Sequence, residues 1–194
     1  VKALQAIDEA QVVIGVLDAQ ESVSEQDASL LGLVAAQGRG LVIAVNKWDC
    51  GDDYRRDRLK MDMTRKLNFL GFAKAHYICA LKGEGINPLM ASVDAAYAAA
   101  MVKMPTPKLT RLLLAAIEKQ TPPRHGIFRP KLRYAHQGGN NPPIIVIHGN
   151  ALEHVPDAYR RYLEHTFMAA FKLEGTPLRV EFRTTRNPYA NRER

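Results

Sequence analysis

The sequence predicts an α/β chain in two parts: a doubly wound parallel sheet over residues 1–104, then a small α+β module of order α-β-β-α-β over residues 105–194. Three observations predict it. In the first part, short apolar runs alternate with helix-length amphipathic stretches, the pattern of β-α-β units whose strands are buried on both faces. Met104-Pro105-Thr106-Pro107 then interrupts the alternation with two prolines, marking a short, stiff linker. The charge changes at the same place. Residues 1–104 hold 12 Lys and Arg against 13 Asp and Glu, whereas residues 105–194 hold 15 against 7, so the second part carries the whole excess behind the net charge of +7. Such an excess suits a partner that is a polyanion, and a solvated basic surface is the plain alternative.

Each element of the first part has its own signature. Val1-Lys2-Ala3-Leu4-Gln5-Ala6-Ile7 reads as a helix, apolar at 3, 4 and 7. The chain thus opens in mid-pattern and reads as a fragment of a longer protein, lacking the first portion of its sheet domain. Residues 11–17 contain Val12-Val13-Ile14-Gly15-Val16-Leu17, a run fit for a buried strand ending at Asp18. Ser24 can cap a helix reaching residue 37, with Asp27 three positions on as in a capping box and Gly38 beyond the end. Residues 40–45 form the next strand. Asp52 or Asp53 opens a charged helix to about residue 70, residues 75–79 form a third strand, and an Ala-rich helix over 86–101 follows the turn Gly83-Glu84-Gly85.

The second part has a different rhythm. Thr106 can cap a helix with Pro107 in its first position, running to about residue 119. Arg129, Lys131 and Arg133 alternate with Pro130, Leu132 and Tyr134, which predicts a strand with one basic face. Gly138-Gly139-Asn140-Asn141-Pro142-Pro143 is a turn before the apolar strand 144–147, so the two strands form a hairpin. A helix over 157 to about 173 places Tyr159, Leu163, Thr166 and Ala170 on one face, stopped by Gly175, and its aromatic stripe reads as core. Leu178, Val180 and Phe182 then alternate with Arg179, Glu181 and Arg183 in a last strand.

The motif that carries chemistry is Asn46-Lys47-Trp48-Asp49, directly after the apolar run Leu41-Val42-Ile43-Ala44-Val45. Open α/β sheets bind ligands outside the carboxyl ends of their strands, which is where it stands. The Asp49 carboxylate can accept two hydrogen bonds, from guanine N1–H and the exocyclic N2 amine. Adenine lacks that amine and turns an acceptor toward the carboxylate. A buried polar group left unpaired costs about 1–3 kcal/mol, enough to separate the two purines. Asn46 can tie the loop together and approach guanine N7, while the Lys47 stem can lie over the purine face. About thirty residues on, Cys79-Ala80-Leu81 follows the third strand, where guanine-binding folds carry a Ser-Ala-Lys/Leu loop whose backbone N–H groups contact guanine O6.

The phosphate half of such a site is missing from the sequence. It contains no Gly-Lys dipeptide, hence no G-x-x-x-x-G-K-[ST], and no Asp-x-x-Gly. No catalytic residue is therefore assigned. Two cysteines, Cys50 and Cys79, give neither a disulfide framework nor a metal-ligand spacing, and the six histidines form no H-E-x-x-H pair. His148 ends a core-like strand and reads as a satisfied structural residue. With no disulfide framework a reducing cytoplasm is the expected compartment, and no apolar run is long enough to span a bilayer.

The chain resembles the C-terminal part of the Der (EngA) family of bacterial GTPases, which have two tandem G domains and a KH-like domain. The marks are Val12-Val13 to Asp18-Ala19-Gln20-Glu21, Ser24-Glu25-Gln26-Asp27, Val45-Asn46-Lys47-Trp48-Asp49, Tyr134-Ala135-His136-Gln137-Gly138-Gly139-Asn140-Asn141-Pro142-Pro143, and Ile147-His148-Gly149-Asn150. The resemblance implies a partial G domain of the P-loop NTPase type over 1–104 and a KH-like domain over 105–194. It implies GTP or GDP with Mg²⁺ in the intact protein, GTP hydrolysis, and a role in assembling the large ribosomal subunit. Asn46, Lys47, Trp48 and Asp49 map onto the guanine motif, joined by Cys79, Ala80 and Leu81. KH domains clamp nucleic acid with a Gly-x-x-Gly loop, which is absent here. Ribosomal RNA would then meet Arg129, Lys131, Arg133, Arg179, Arg183 and Arg186. Docking of the sheet on the N-terminal G domain stays open beside it, as does a non-catalytic RNA- or ribosome-binding adaptor role for this fragment.

Overall fold

The computed structural model describes residues 2–184. Contacts divide the chain into two compact units, Val1–Met101 with Leu173–Pro177, and Val102–Lys172 with Leu178–Arg194. The first unit contains α1 (Lys2–Glu9), β1 (Val12–Asp18), α2 (Glu25–Ala36), β2 (Gly40–Asn46), α3 (Asp53–Lys66), β3 (Lys74–Tyr77) and α4 (Ile86–Ala100). Its strands form one parallel sheet in the order β1-β2-β3, with Asp18 opposite Asn46.

Strand β2 explains the double winding. Leu41, Ile43 and Val45 point into a core with Leu17, Leu31, Val34, Leu59 and Leu70. Val42 and Ala44 point the other way, into a core with Ile78, Leu89 and Ala96. Burying each such aliphatic side chain contributes about 1.5–3 kcal/mol, and a strand can do so on both faces only if helices cover both. The helices start where their caps say. Ser24 Oγ accepts from Asp27 N–H (3.0 Å) while Asp27 Oδ2 accepts from Ser24 N–H (2.9 Å), and Asp52 Oδ1 accepts from Arg55 N–H (2.8 Å). Leu173–Pro177 belongs to this unit because Gly175 O accepts from Leu41 N–H and Gly175 N–H donates to Phe72 O, both at 2.8 Å. Nothing in the sequence marks that return.

The second unit contains α5 (Thr106–Lys119), β4 (Lys131–Gly139), β5 (Ile144–Asn150), α6 (Asp157–Phe171) and β6 (Arg179–Thr184). β5 is central, antiparallel to β4 and parallel to β6. One sheet face buries Leu132, Ala135, Ile145, Ile147 and Val180, and the helices bury Leu109, Leu113, Tyr159, Leu163 and Phe167. The aromatic stripe of α6 is thus core. Tyr159 donates to Gln120 O (2.6 Å) and Tyr162 to Ala116 O (2.9 Å), which ties α6 to α5. Among the described residues no helix is long and apolar enough to cross a membrane.

Three local expectations are corrected. Thr106 caps nothing: Pro105 occupies the N-cap position, and Thr106 and Pro107 lie inside the first turn. Helix α6 ends at Phe171, with Lys172 in the left-handed conformation as its cap, before Gly175 is reached. Most consequentially, β4 is not a regular strand with one basic face. Leu132 is opposite Gly149 and Tyr134 is opposite His148, so Arg133 is an extra residue in a bulge. The insertion reverses the alternation. Leu132 stays on the buried face, and Tyr134, two residues on, turns to the outer one.

Gly149 makes this bulge sterically possible. A Cβ there would lie 1.9 Å from Lys131 O and 2.9 Å from its carbonyl carbon, backbone atoms that cannot move aside without breaking the pairing. Gly149→Ala is expected to destabilise the second unit by about 2 kcal/mol or more in urea unfolding, and a loss below ~0.5 kcal/mol would contradict this packing.

Candidate nucleotide-binding site

The carboxyl ends of the three parallel strands meet at Asn46. Its backbone oxygen accepts from Ala19 N–H (2.9 Å), after β1, and its side-chain Oδ1 accepts from Ala80 N–H (2.9 Å), after β3. Trp48 N–H donates to Ile78 O (3.1 Å), a second tie between the same loops. Lys47 is left-handed at φ 59°, a conformation that costs a non-glycine residue energy and persists only when its surroundings impose it. One of those constraints is visible. Lys47 Nζ lies 2.5 Å from Asp18 Oδ2, and this contact, with the Gln20 N–H, holds the Asp18 carboxyl below its ordinary range.

Trp48 turns into the protein. Its ring packs on Tyr77 at 4.1 Å between centroids, and the Arg56 guanidinium lies 5.5 Å from the indole while donating twice to Trp48 O (3.1 and 3.2 Å). The loop after β2 is therefore braced by α3. Asp49 is left facing outward at its tip. Lys82 Nζ approaches its Oδ2 at 2.8 Å, and Cys50 Sγ lies 3.7 Å from Oδ1. The Lys82 hydrogen bond, followed by that of the Cys79 thiol, brings the Asp49 carboxyl down to about 2. It is an acceptor without a proton throughout neutral pH.

What remains for a ligand is a short set of groups. Asp49 offers carboxylate oxygens. The Asn46 oxygen is engaged, which leaves its amide nitrogen as a donor. Cys79 N–H donates to Glu84 O (3.0 Å) and Ala80 N–H to Asn46, so of the three backbone groups expected at guanine O6 only the Leu81 N–H makes no hydrogen bond among the described residues. A carboxylate beside one amide donor and one backbone donor is the complement of a purine with adjacent N–H donors, a ring nitrogen acceptor and a carbonyl. No group of three His, Cys, Asp or Glu among the described residues could hold a metal.

Residues 2–99 match the model of the elongation factor Tu GTP binding domain, and residues 103–183 match the KH-domain-like C-terminal domain of EngA bacterial GTPase enzymes. The chain is 64% identical to a GTPase Der of Aromatoleum aromaticum over 193 residues, covering 100% of this chain and 44% of that protein. It is 64% identical to one of Azoarcus sp. (99% and 43%) and 63% identical to one of Nitrosomonas eutropha (100% and 41%). The chain belongs to the Der (EngA) GTPase family. It spans less than half the length of these curated Der relatives. Among solved structures, elongation factor SelB of Methanococcus maripaludis with a GTP analogue overlaps 54% of this chain and 23% of its own, at TM-score 0.46 and 18% identity. Era with MgGDPNP and a piece of 16S ribosomal RNA overlaps 96% and 68%, at 0.41 and 16%.

Three features of this candidate site escaped the sequence reading: Arg56, Lys82 and the pairing role of Asp18. Lys82 follows Cys79-Ala80-Leu81 directly and was within reach of that motif, whereas Arg56 acts through the fold alone. The basic residues of the second unit are dispersed. Arg129 precedes β4, Lys131 opens it, and Arg133 stands in the bulge with Nε donating to Asn150 Oδ1 (3.0 Å). Arg179 and Arg183 are exposed on β6, and Arg186 lies outside the described residues.

Because its pKa is depressed, the Asp49 contact contributes fully above the ordinary carboxylate value of 3.8 and is lost as the pH falls through about 2. Lys82→Met removes the main cause. The Asp49 pKa is expected to rise toward 3.8 in an NMR titration of its carboxyl carbon, and a value unmoved from about 2 would show that Lys82 does not set it.

Proposed function

We propose that residues 1–104 are the guanine-reading, C-terminal portion of a G domain and residues 105–194 a KH-like RNA-binding domain. On this reading the intact protein is a cytoplasmic GTP-hydrolysing factor that acts in assembly of the large ribosomal subunit. The observation that carries the first half is the double tie at Asn46 and Trp48, which joins the loops after β2 and β3 into one rim beneath an anionic Asp49. A guanine placed there gives N1–H and the N2 amine to Asp49, receives the Asn46 amide at N7, and receives the Leu81 N–H at O6. Lys47, held by Asp18, shapes the loop, and Trp48 anchors it from inside.

GTP would bring its own electrophilic phosphate, with Mg²⁺ to neutralise the charge that develops during transfer of the γ-phosphoryl group to water. No residue of this chain is assigned to that step. An exposed apolar edge supports the view that the sheet is part of a larger one: β1 leaves Val16 63% exposed, where a further strand would cover it. The absence of any Gly-Lys dipeptide favours a second reading for the chain taken alone, an RNA- or ribosome-binding adaptor without turnover.

Two outcomes test this. In the complete polypeptide Asp49→Asn is expected to weaken GTP binding by roughly 5- to 150-fold and to improve xanthosine triphosphate, because an amide can donate where xanthine has a carbonyl. Unchanged guanine preference in equilibrium binding would remove Asp49 from the site. The chain alone is expected to bind ribosomal RNA with an affinity falling steeply with salt. Neutralising about five phosphates gives a log–log slope near −3.5 on single strands, and a flat response would remove the electrostatic basis of the RNA reading.

A further inference from the structure

The rings on the outer face of the β4-β5-β6 sheet are the feature that neither the guanine site nor a purely electrostatic RNA contact uses. Register places Tyr134 on β4, His148 on β5 and Arg183 on β6 in one row across it, because His148 is opposite both of the others. The Tyr134 and His148 rings lie face to face, 4.6 Å between centroids and 7° between planes. His136 joins from the next row at 5.1 Å and 24° from the same imidazole. Val146, beside His136, forms a closed apolar floor at 1% exposure, while Tyr134 remains 46% exposed.

His148 is not the satisfied core residue its position suggests. Its Nε2 is buried and has no hydrogen-bond partner among the described residues, and the rings of Tyr134 and His136 pack on the imidazole. Burial, with His136 and Arg183 nearby, keeps it below the ordinary histidine range and hence a neutral, flat surface at pH 7. Around these rings stand Lys131, Arg133, Arg179 and Arg183, against Glu181 as the one acidic residue of β4, β5 and β6.

We propose that this face is a stacking platform for unpaired bases of single-stranded RNA, with Tyr134 and His136 as the ring surfaces and Lys131, Arg133, Arg179 and Arg183 reaching the flanking phosphates. The proposal rests on the polyanion reading of the second unit and adds base contact to it. Exposed rings and guanidinium planes stack on any base, and the surrounding cations follow the backbone. The core of a protein interface is depleted of charge, whereas this face carries four cations against one acid. Here the apolar residue at the centre, Val146, is already sealed.

The test uses the full chain and three fluorescent probes of ten nucleotides: a single-stranded RNA, its duplex, and a strand of the same length with abasic sugars. Single-stranded RNA is expected to bind best. Tyr134→Ala and His136→Ala should each weaken it about 5- to 100-fold, leave the duplex and abasic probes unchanged, and lower the urea midpoint by no more than the loss of one ring contact with His148, while Tyr134→Phe binds normally. If both alanine variants hold single strands as well as the unsubstituted chain, the stacking proposal is wrong. The polyanion reading then survives provided Arg183→Gln still weakens all three probes. If no probe binds and the complete polypeptide shields Tyr134 and His136 from modification, the face docks a protein and both readings fall.

Discussion

The first unit depends on the burial of β2 along its whole apolar length. A strand covered on both faces has no freedom to slip, because a shift of one residue would exchange the side chains of its two cores. Its first polar residue, Asn46, is therefore delivered to the rim of the sheet at a fixed height. There it meets the chain leaving β1 through its own carbonyl and the chain leaving β3 through its side chain. Each bond contributes only about 0.5–1.5 kcal/mol, but losing the Asn46 oxygen would leave the Ala80 N–H without its partner. Fold and site are thus one construction, in which the core sets the height and the amide joins the loops.

Electrostatics at Asp49 obey a second constraint. The carboxylate must be charged, yet available. Lys82 secures the charge by a 2.8 Å contact, and a buried pair of that kind would be hard to part. This one is open to water, with the lysine side chain 55% and the aspartate 26% exposed, so the pair itself is worth little and parts at small cost. Bracing comes from the other side. Arg56 and Tyr77 hold Trp48 from within, so the loop keeps its shape whatever Lys82 does.

Much of this was legible in the sequence because it rests on local rules. Apolar runs of strand length, the Ser24–Asp27 capping box and the Asn46-Lys47-Trp48-Asp49 turn are short-range signals, and the parallel sheet follows from their order. What escaped was long-range or geometric. Arg56 reaches Trp48 O from a helix whose charge pattern reads as solvated surface. Gly175 joins the first unit through two backbone bonds that have no compositional mark. His148 ends a fully apolar run and so reads as core, although its partners are rings on β4, beyond a hairpin turn.

The bulge at Arg133 shows why the outer face of the second sheet could not be foreseen. Strict alternation puts Pro130, Leu132 and Tyr134 on one side and the basic residues on the other. A single inserted residue breaks that rule at the one place where Gly149 lets the backbones approach. Leu132 then fills the core and Tyr134 faces out, directly opposite His148. Without the insertion the phenol would point into the helices and the imidazole would lose its stacking partner. Bulges re-aim side chains, and this one turns a basic edge into a mixed surface of rings and cations. The exposed part of such a ring gains nothing from folding, so its area is left for a partner to cover. In the proposed platform an unpaired base would supply the cover, and the guanidinium at the end of the row the counter-charge for the phosphate that comes with it.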